Sequence, residues 1–201
     1  MPRFTEFDFG VSWVMGFFHQ DGTHYGDTAA EIVANHLAGW SDESALAVSR
    51  DARTLGNLPS ETLEVLWNAG AEYLPSFGTR LGSGAEWTRT VVDLCDARLS
   101  TEPDLRPLTG ADTEDGTACL DAVVAEIEEA RFLAAEVRAA LVDCARRGTP
   151  DLAFRVLLRA MRHVRKASLS PDRYGRLEAV GSTLQYGEFV VDNVRFLVEE
   201  P

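Results

Sequence analysis

Residues 120–144, LDAVVAEIEEARFLAAEVRAALVDC, carry apolar or small side chains at Leu120, Val123, Val124, Ile127, Ala130, Ala134, Val137, Leu141 and Cys144. Intervals of three and four put these positions on one face of an α-helix. The spacing predicts one continuous helix of about seven turns, stopped at Gly148. Thr149 and Pro150 then suit the cap and first position of a following helix, with Leu152, Val156, Leu157, Ala160, Met161 and Val164 inward. A further helix is expected from near Pro171, and a last one from Ser182 through Leu184, Val191, Val194 and Leu197.

The amino-terminal half reads the same way. Thr28-Ala29-Ala30-Glu31 and Ser83-Gly84-Ala85-Glu86 match the capping-box pattern, in which a hydroxyl takes a first-turn N–H and the glutamate reaches back. Behind the first, Ile32, Val33, His36, Leu37 and Trp40 share a face; behind the second, Trp87, Val91, Leu94 and Cys95 do. Residues 44–56 and 60–74 carry further helical patterns, the latter through Leu63, Leu66, Trp67 and Gly70. No two-residue alternation and no fixed-period repeat occurs, so an all-α protein is expected. The segment 100–117, STEPDLRPLTGADTEDGT, has two prolines, two glycines and no apolar period, and reads as a linker. The expected organisation is a small helical domain over 1–100, a linker over 101–117 and an antiparallel helical bundle over 118–201.

Composition narrows the function classes. The 201 residues are 45% hydrophobic, enough for a packed core. No run of eighteen apolar residues occurs, and the start MPRFTEFDFG has no basic leader or apolar core, so no membrane association and a cytoplasmic location are expected. Cys95, Cys119 and Cys144 are odd in number and far apart on apolar faces, as reduced core residues would be. With 32 acidic against 19 basic residues the net charge is −13, which opposes nucleic-acid binding and favours a basic partner. The acidity is concentrated early: residues 1–110 carry 16 carboxylates against 7 basic side chains (net −9), residues 111–201 carry 16 against 12 (net −4).

Candidate chemistry centres on GFFHQDGTHYGD, residues 16–27, where imidazoles and carboxylates alternate. A metal-dependent helical-bundle enzyme would use His19, His24, Asp27 or His36. Two glycines among them give loop-like spacing rather than the i, i+3 or i+4 pattern of ligands on a helix, and neither HExxH nor CxxC is present. There is no GxSxG elbow, and GTRLGSG (78–84) lacks the Lys-Ser/Thr of a phosphate loop. No catalytic, metal or cofactor-binding residue is therefore expected. Two charge rows, Glu126, Glu129, Glu136 and Asp143, then Arg155, Arg159, Arg162 and Lys166, read as solvated faces with weak surface pairing. A scaffold or regulator acting through residues 118–201 is a further reading.

The run WVMGFFHQDGTHYGDTAAEIVANHLA, residues 13–38, resembles the start of a family of contact-dependent growth inhibition immunity proteins, with its aromatic-aromatic-His-Gln-Asp segment, acidic turn and helix. GAEYLPSFGTRLGSGAEWTRTVVDLC, residues 70–95, is similar to that family's later Tyr-x-Pro loop, glycine and helix entered by a tryptophan. The resemblance spans about residues 13–99; Gly22 stands where the family usually has an aromatic residue, and residues 112–201 lie outside it. It implies a non-catalytic cytoplasmic protein that binds and neutralises a cognate toxin domain, in many cases a basic nuclease. Phe17, Phe18, His19, Gln20 and Asp21 would then be mainly structural, the aromatics buried and His19 and Asp21 tying the turn to the next helix. Asp21, Asp27, Glu31, Asp42, Glu43, Glu72 and Glu86 are the expected toxin contacts.

Overall fold

The computed structural model describes residues 3–199. The described residues form ten α-helices: α1 (Gly10–Met15), α2 (Ala29–Ala38), α3 (Asp42–Leu55), α4 (Ser60–Gly70), α5 (Gly84–Leu99), α6 (Leu120–Glu129), α7 (Ala135–Arg147), α8 (Pro150–Arg162), α9 (Pro171–Thr183) and α10 (Glu188–Asp192). Single 3-10 turns lie at Gly22–Tyr25, Gly110–Thr113, Thr117–Cys119 and Arg195–Leu197. One isolated bridge joins Leu169 and Val198, and there is no strand among the described residues. Among the described residues no helix is long and apolar enough to cross a membrane.

The helix starts follow from local chemistry. Thr28 and Ser83 each take the backbone N–H of their N3 glutamate while Glu31 and Glu86 return the bond, so both expected capping boxes form. Thr149 accepts from Leu152 N ahead of Pro150, and Ser170 accepts from Arg173 N ahead of Pro171. Each such cap is worth about 1 kcal/mol against alanine. α8 is buried on nearly every side, from Pro150 to Leu158 and at Ala160 and Met161. A helix enclosed all round belongs at the centre of the molecule, and α1, α4, α6 and α7 pack around it.

Residues 120–144 do not form one helix. The chain turns at 130–134, where Ala130 (φ −72°, ψ 58°) leaves the α region. Ala130 and Leu133 are buried at the corner. Breaking a helix orphans its last carbonyls, and arginines from elsewhere take them: Arg173 Nη2 donates to Glu126 O at 2.8 Å, Arg173 Nη1 to Glu129 O at 3.5 Å, and Arg138 to Glu128 O at 3.3 Å. The expected last helix is also interrupted, because Gln185 adopts φ 57° after α9 ends at Thr183. Tyr186 and Gly187 follow, and only the short α10 and a 3-10 turn remain of it.

The two parts expected on either side of 101–117 share one hydrophobic core, with α4 packed on both α7 and α8. Charge crosses the same boundary. Arg155 donates to Asp51 and Asp151 at 2.8 Å each, to Phe9 O at 2.6 Å and to Ser12 Oγ at 2.9 Å, with its guanidinium 4.1 Å over the Phe9 ring. Arg3 adds a 2.9 Å bond to Asp151, and the Tyr186 hydroxyl donates to the same carboxylate. Burial pushes the Asp151 pKa up, but Arg155 and Arg3 outweigh it and hold the carboxyl below its ordinary range. The row Arg155–Lys166 is therefore no solvated face at its start, and Glu126 is likewise buried, paired with Arg173 at 3.1 Å and Arg176 at 2.6 Å.

Candidate functional site

The 16–28 turn is built by contacts that leave little freedom. α1 ends at Gly16, whose N–H reaches Trp13 O. Phe17 and Phe18 are both buried in the core. Phe17 stacks on His36 with ring centroids 4.0 Å apart, and Phe18 meets Trp87 edge-on at 6.0 Å. Gly22 N donates to His19 O at 2.8 Å, and a Cβ on Gly22 would stand 2.5 Å from the Phe17 carbonyl oxygen. An aromatic residue at position 22 would require a different turn.

The turn is tied to α2, but not by His19 and Asp21. His19 Nδ1 accepts from Asp21 N at 3.2 Å, a bond internal to the turn. The ties are Asn35, which donates to Tyr25 O at 2.6 Å; Glu31, whose carboxylate accepts from Asp27 N and Thr28 N at 3.0 and 2.9 Å; and the Phe17–His36 stack. His36 itself donates to Ile32 O at 2.8 Å, one turn back, and is a half-buried aromatic spacer between Phe17 and Tyr25. Among the described residues no three His, Cys, Asp or Glu side chains converge as a metal site would need.

A second segment meets this turn. Tyr73 N donates to Phe18 O at 2.9 Å, which brings the 73–75 loop alongside. The loop beyond it closes on itself through Gly78 N to Gly82 O at 2.7 Å and delivers Arg80 before α5 starts. Between the two segments lies a cleft of about 560 Å³. Its floor is apolar, from Phe18, Ala29, Ile32 and Leu74, and its polar rim comes from His19, Gln20, Asp27, Tyr73 and Arg80. The two blocks that carry the resemblance, separated in the chain by residues 39–69, thus form opposite walls of one depression.

The seven candidate carboxylates fall into three groups. Asp21, Asp27 and Glu72 are exposed at or beside the cleft and make no ion pair among the described residues. Glu31 and Glu86 are exposed but occupied by their capping boxes, and the Ser83 bonds hold Glu86 below the ordinary carboxylate range. Asp42 is half-buried and paired with Arg98 at 3.0 Å, while Glu43 beside it is exposed in the first turn of α3. Sequence reasoning missed the exposed Tyr25 and Tyr73, 49% and 58% accessible, and the rim position of Arg80. Their signal was present, since all three stand inside the two quoted blocks.

Pairing sharpens the charge of this half. Of its seven basic side chains, Arg3, Arg50, Arg53 and Arg98 are already held by carboxylates. The fold and this face define an all-helical protein with a tyrosine-flanked cleft whose described lining carries one carboxylate, Asp27, and one arginine, Arg80. No protein-family model, curated protein or solved structure matches the chain.

Proposed function

We propose that the protein is a cytoplasmic immunity protein that binds and neutralises a cognate toxin domain, a basic nuclease, by direct contact and without catalysis. One observation supports this above the rest: four of the seven arginines of residues 1–110 are held in internal pairs, while Asp21, Asp27 and Glu43 stay exposed without an ion pair among the described residues. Unpaired exposed carboxylates weaken a fold through mutual repulsion, and they raise the association rate with a cationic surface. Exposed tyrosines beside them suit an interface, where Tyr is enriched and supplies contact area at low entropic cost. A basic nuclease covered by such a face would lose access to its phosphate substrate.

The test is co-expression of the full chain with the toxin domain encoded next to it, scoring survival, followed by binding of the purified pair. Survival should return, and affinity should fall at least about tenfold between about 0.05 M and about 0.5 M salt, as screening shortens the reach of the charges. Continued killing with no complex formed would reject the reading. Binding that ignores salt would reject its electrostatic basis.

A further inference from the structure

We infer that the cleft between the 19–28 turn and the 73–75 loop seats a cationic side chain, arginine or lysine, presented on a short segment of the partner. This deepens the proposed function and rests on it for the identity of the partner, though not for the chemistry of the cleft. The apolar floor of Phe18, Ile32 and Leu74 matches an aliphatic stem, and Asp27 on the rim matches its charged head. At about 560 Å³ the cleft falls in the range of about 300–1,000 Å³ typical of sites that enclose a compact ligand. Tyr73 on one wall and Tyr25 in the facing loop are exposed aromatics of the kind that carry interface energy.

The sign of the occupant's charge follows from what the cleft has already used. Its wall includes the start of α2, and a helix N-terminus ordinarily attracts an anion. Here Glu31 has taken that role, accepting from both Asp27 N and Thr28 N. The Asp27 side chain has no hydrogen-bond partner and no ion pair among the described residues, so its charge faces outward unsatisfied. Asp21 is a second exposed carboxylate of the 19–28 turn, outside the lining itself. Arg80 is the one arginine or lysine of the described lining. An anionic occupant would need Arg80 and be repelled by Asp27; a cationic one reverses both dependences.

Capped pentapeptides Gly-Leu-Arg-Leu-Gly and Gly-Leu-Glu-Leu-Gly, titrated into the isotopically labelled full chain at low salt, separate these cases. The arginine peptide should shift the amide signals of Gly22, Gly26, Thr28 and Tyr73. Asp27→Lys should weaken it at least about tenfold, whereas Asp93→Lys, an equal charge change on the exposed face of α5 away from the cleft, should not. Arg80→Ala should leave it unchanged or tighter. Binding of the glutamate peptide with loss in Arg80→Ala, silence with both peptides, or equal weakening by Asp93→Lys would each overturn the inference. The survival assay keeps the two readings apart: rescue by Asp27→Lys as good as by the native chain removes the cleft and leaves the immunity function, while peptide binding without any rescue does the reverse.

Discussion

Arg155 on α8 and Asp51 on α3 meet at 2.8 Å with their side chains 0% and 3% accessible, and this pair fastens the carboxy-terminal half to the amino-terminal one. A buried pair adds little over an apolar replacement, but removing one partner strands the other charge. Arg155→Met should therefore cost about 3–5 kcal/mol in urea unfolding. Arg53→Ala, which breaks the exposed pair with Asp96, should cost less than about 1 kcal/mol. Because Asp151 of the same network is held below its ordinary range, its contribution persists above pH of about 4 and is lost as pH falls further. Residues 1–105 expressed alone leave Asp51 without Arg155 and should show no cooperative unfolding transition.

Arg173 predicts the behaviour of the α6–α7 corner. It holds the Glu126 carboxylate and two carbonyls at once, a set that one planar guanidinium can span and an ammonium cannot. Arg173→Ala should destabilise by about 2 kcal/mol, because it frees two carbonyls and leaves the buried Glu126 carboxylate with Arg176 alone. Arg173→Lys should recover only part of that loss. Equal urea midpoints for all three proteins would show that the corner closes without it.

That corner also marks the limit of what is legible along the chain. The caps at Thr28, Ser83 and Thr149 are readable because hydroxyl and first-turn N–H lie within three residues of one another. The break at 130–134 contains neither glycine nor proline and keeps the helical period, so local pattern continues straight through it. What stabilises the break is Arg173, forty residues on, together with the burial of Ala130 and Leu133. Arg155 misled for the same reason, since its helical spacing looks like an exposed row and its partners arrive from α3 and the chain start. At the cleft, the residues of both walls stand out in the sequence, but the Tyr73 N to Phe18 O bond that joins them does not.

Gly84 tests the close approach of two helix starts. Replacing a helical glycine by alanine ordinarily stabilises by about 1 kcal/mol. Here the new Cβ would stand 2.4 Å from Ser60 O and 2.9 Å from Glu64 N, backbone atoms of α4. The same junction carries Gly84 N to Glu64 Oε1 at 3.0 Å and Ala85 N to Ser60 Oγ at 3.1 Å, so side chains of α4 take the first N–H groups of α5. Overpacking should outweigh propensity, and Gly84→Ala should lose about 1–3 kcal/mol. A rise in the thermal midpoint would contradict the packing described.

His163 closes the carboxy end of α8 against the end of α4, donating from Nε2 to Gly70 O at 3.2 Å beside Arg159, which donates to the same carbonyl at 3.3 Å. Burial lowers the His163 pKa first and the Arg159 charge lowers it further, against the Gly70 bond and the more distant Glu72. A histidine with a depressed folded pKa binds fewer protons folded than unfolded. Its contribution is thus complete above the ordinary value of about 6.5 and is lost as pH falls through the folded value. His163→Gln keeps a donor for Gly70 O but does not titrate. The native chain should lose more stability than this variant between pH of about 7.5 and about 5, read as the change in urea midpoint at each pH. Parallel pH profiles would mean that the imidazole is as easily protonated in the fold as in the unfolded chain.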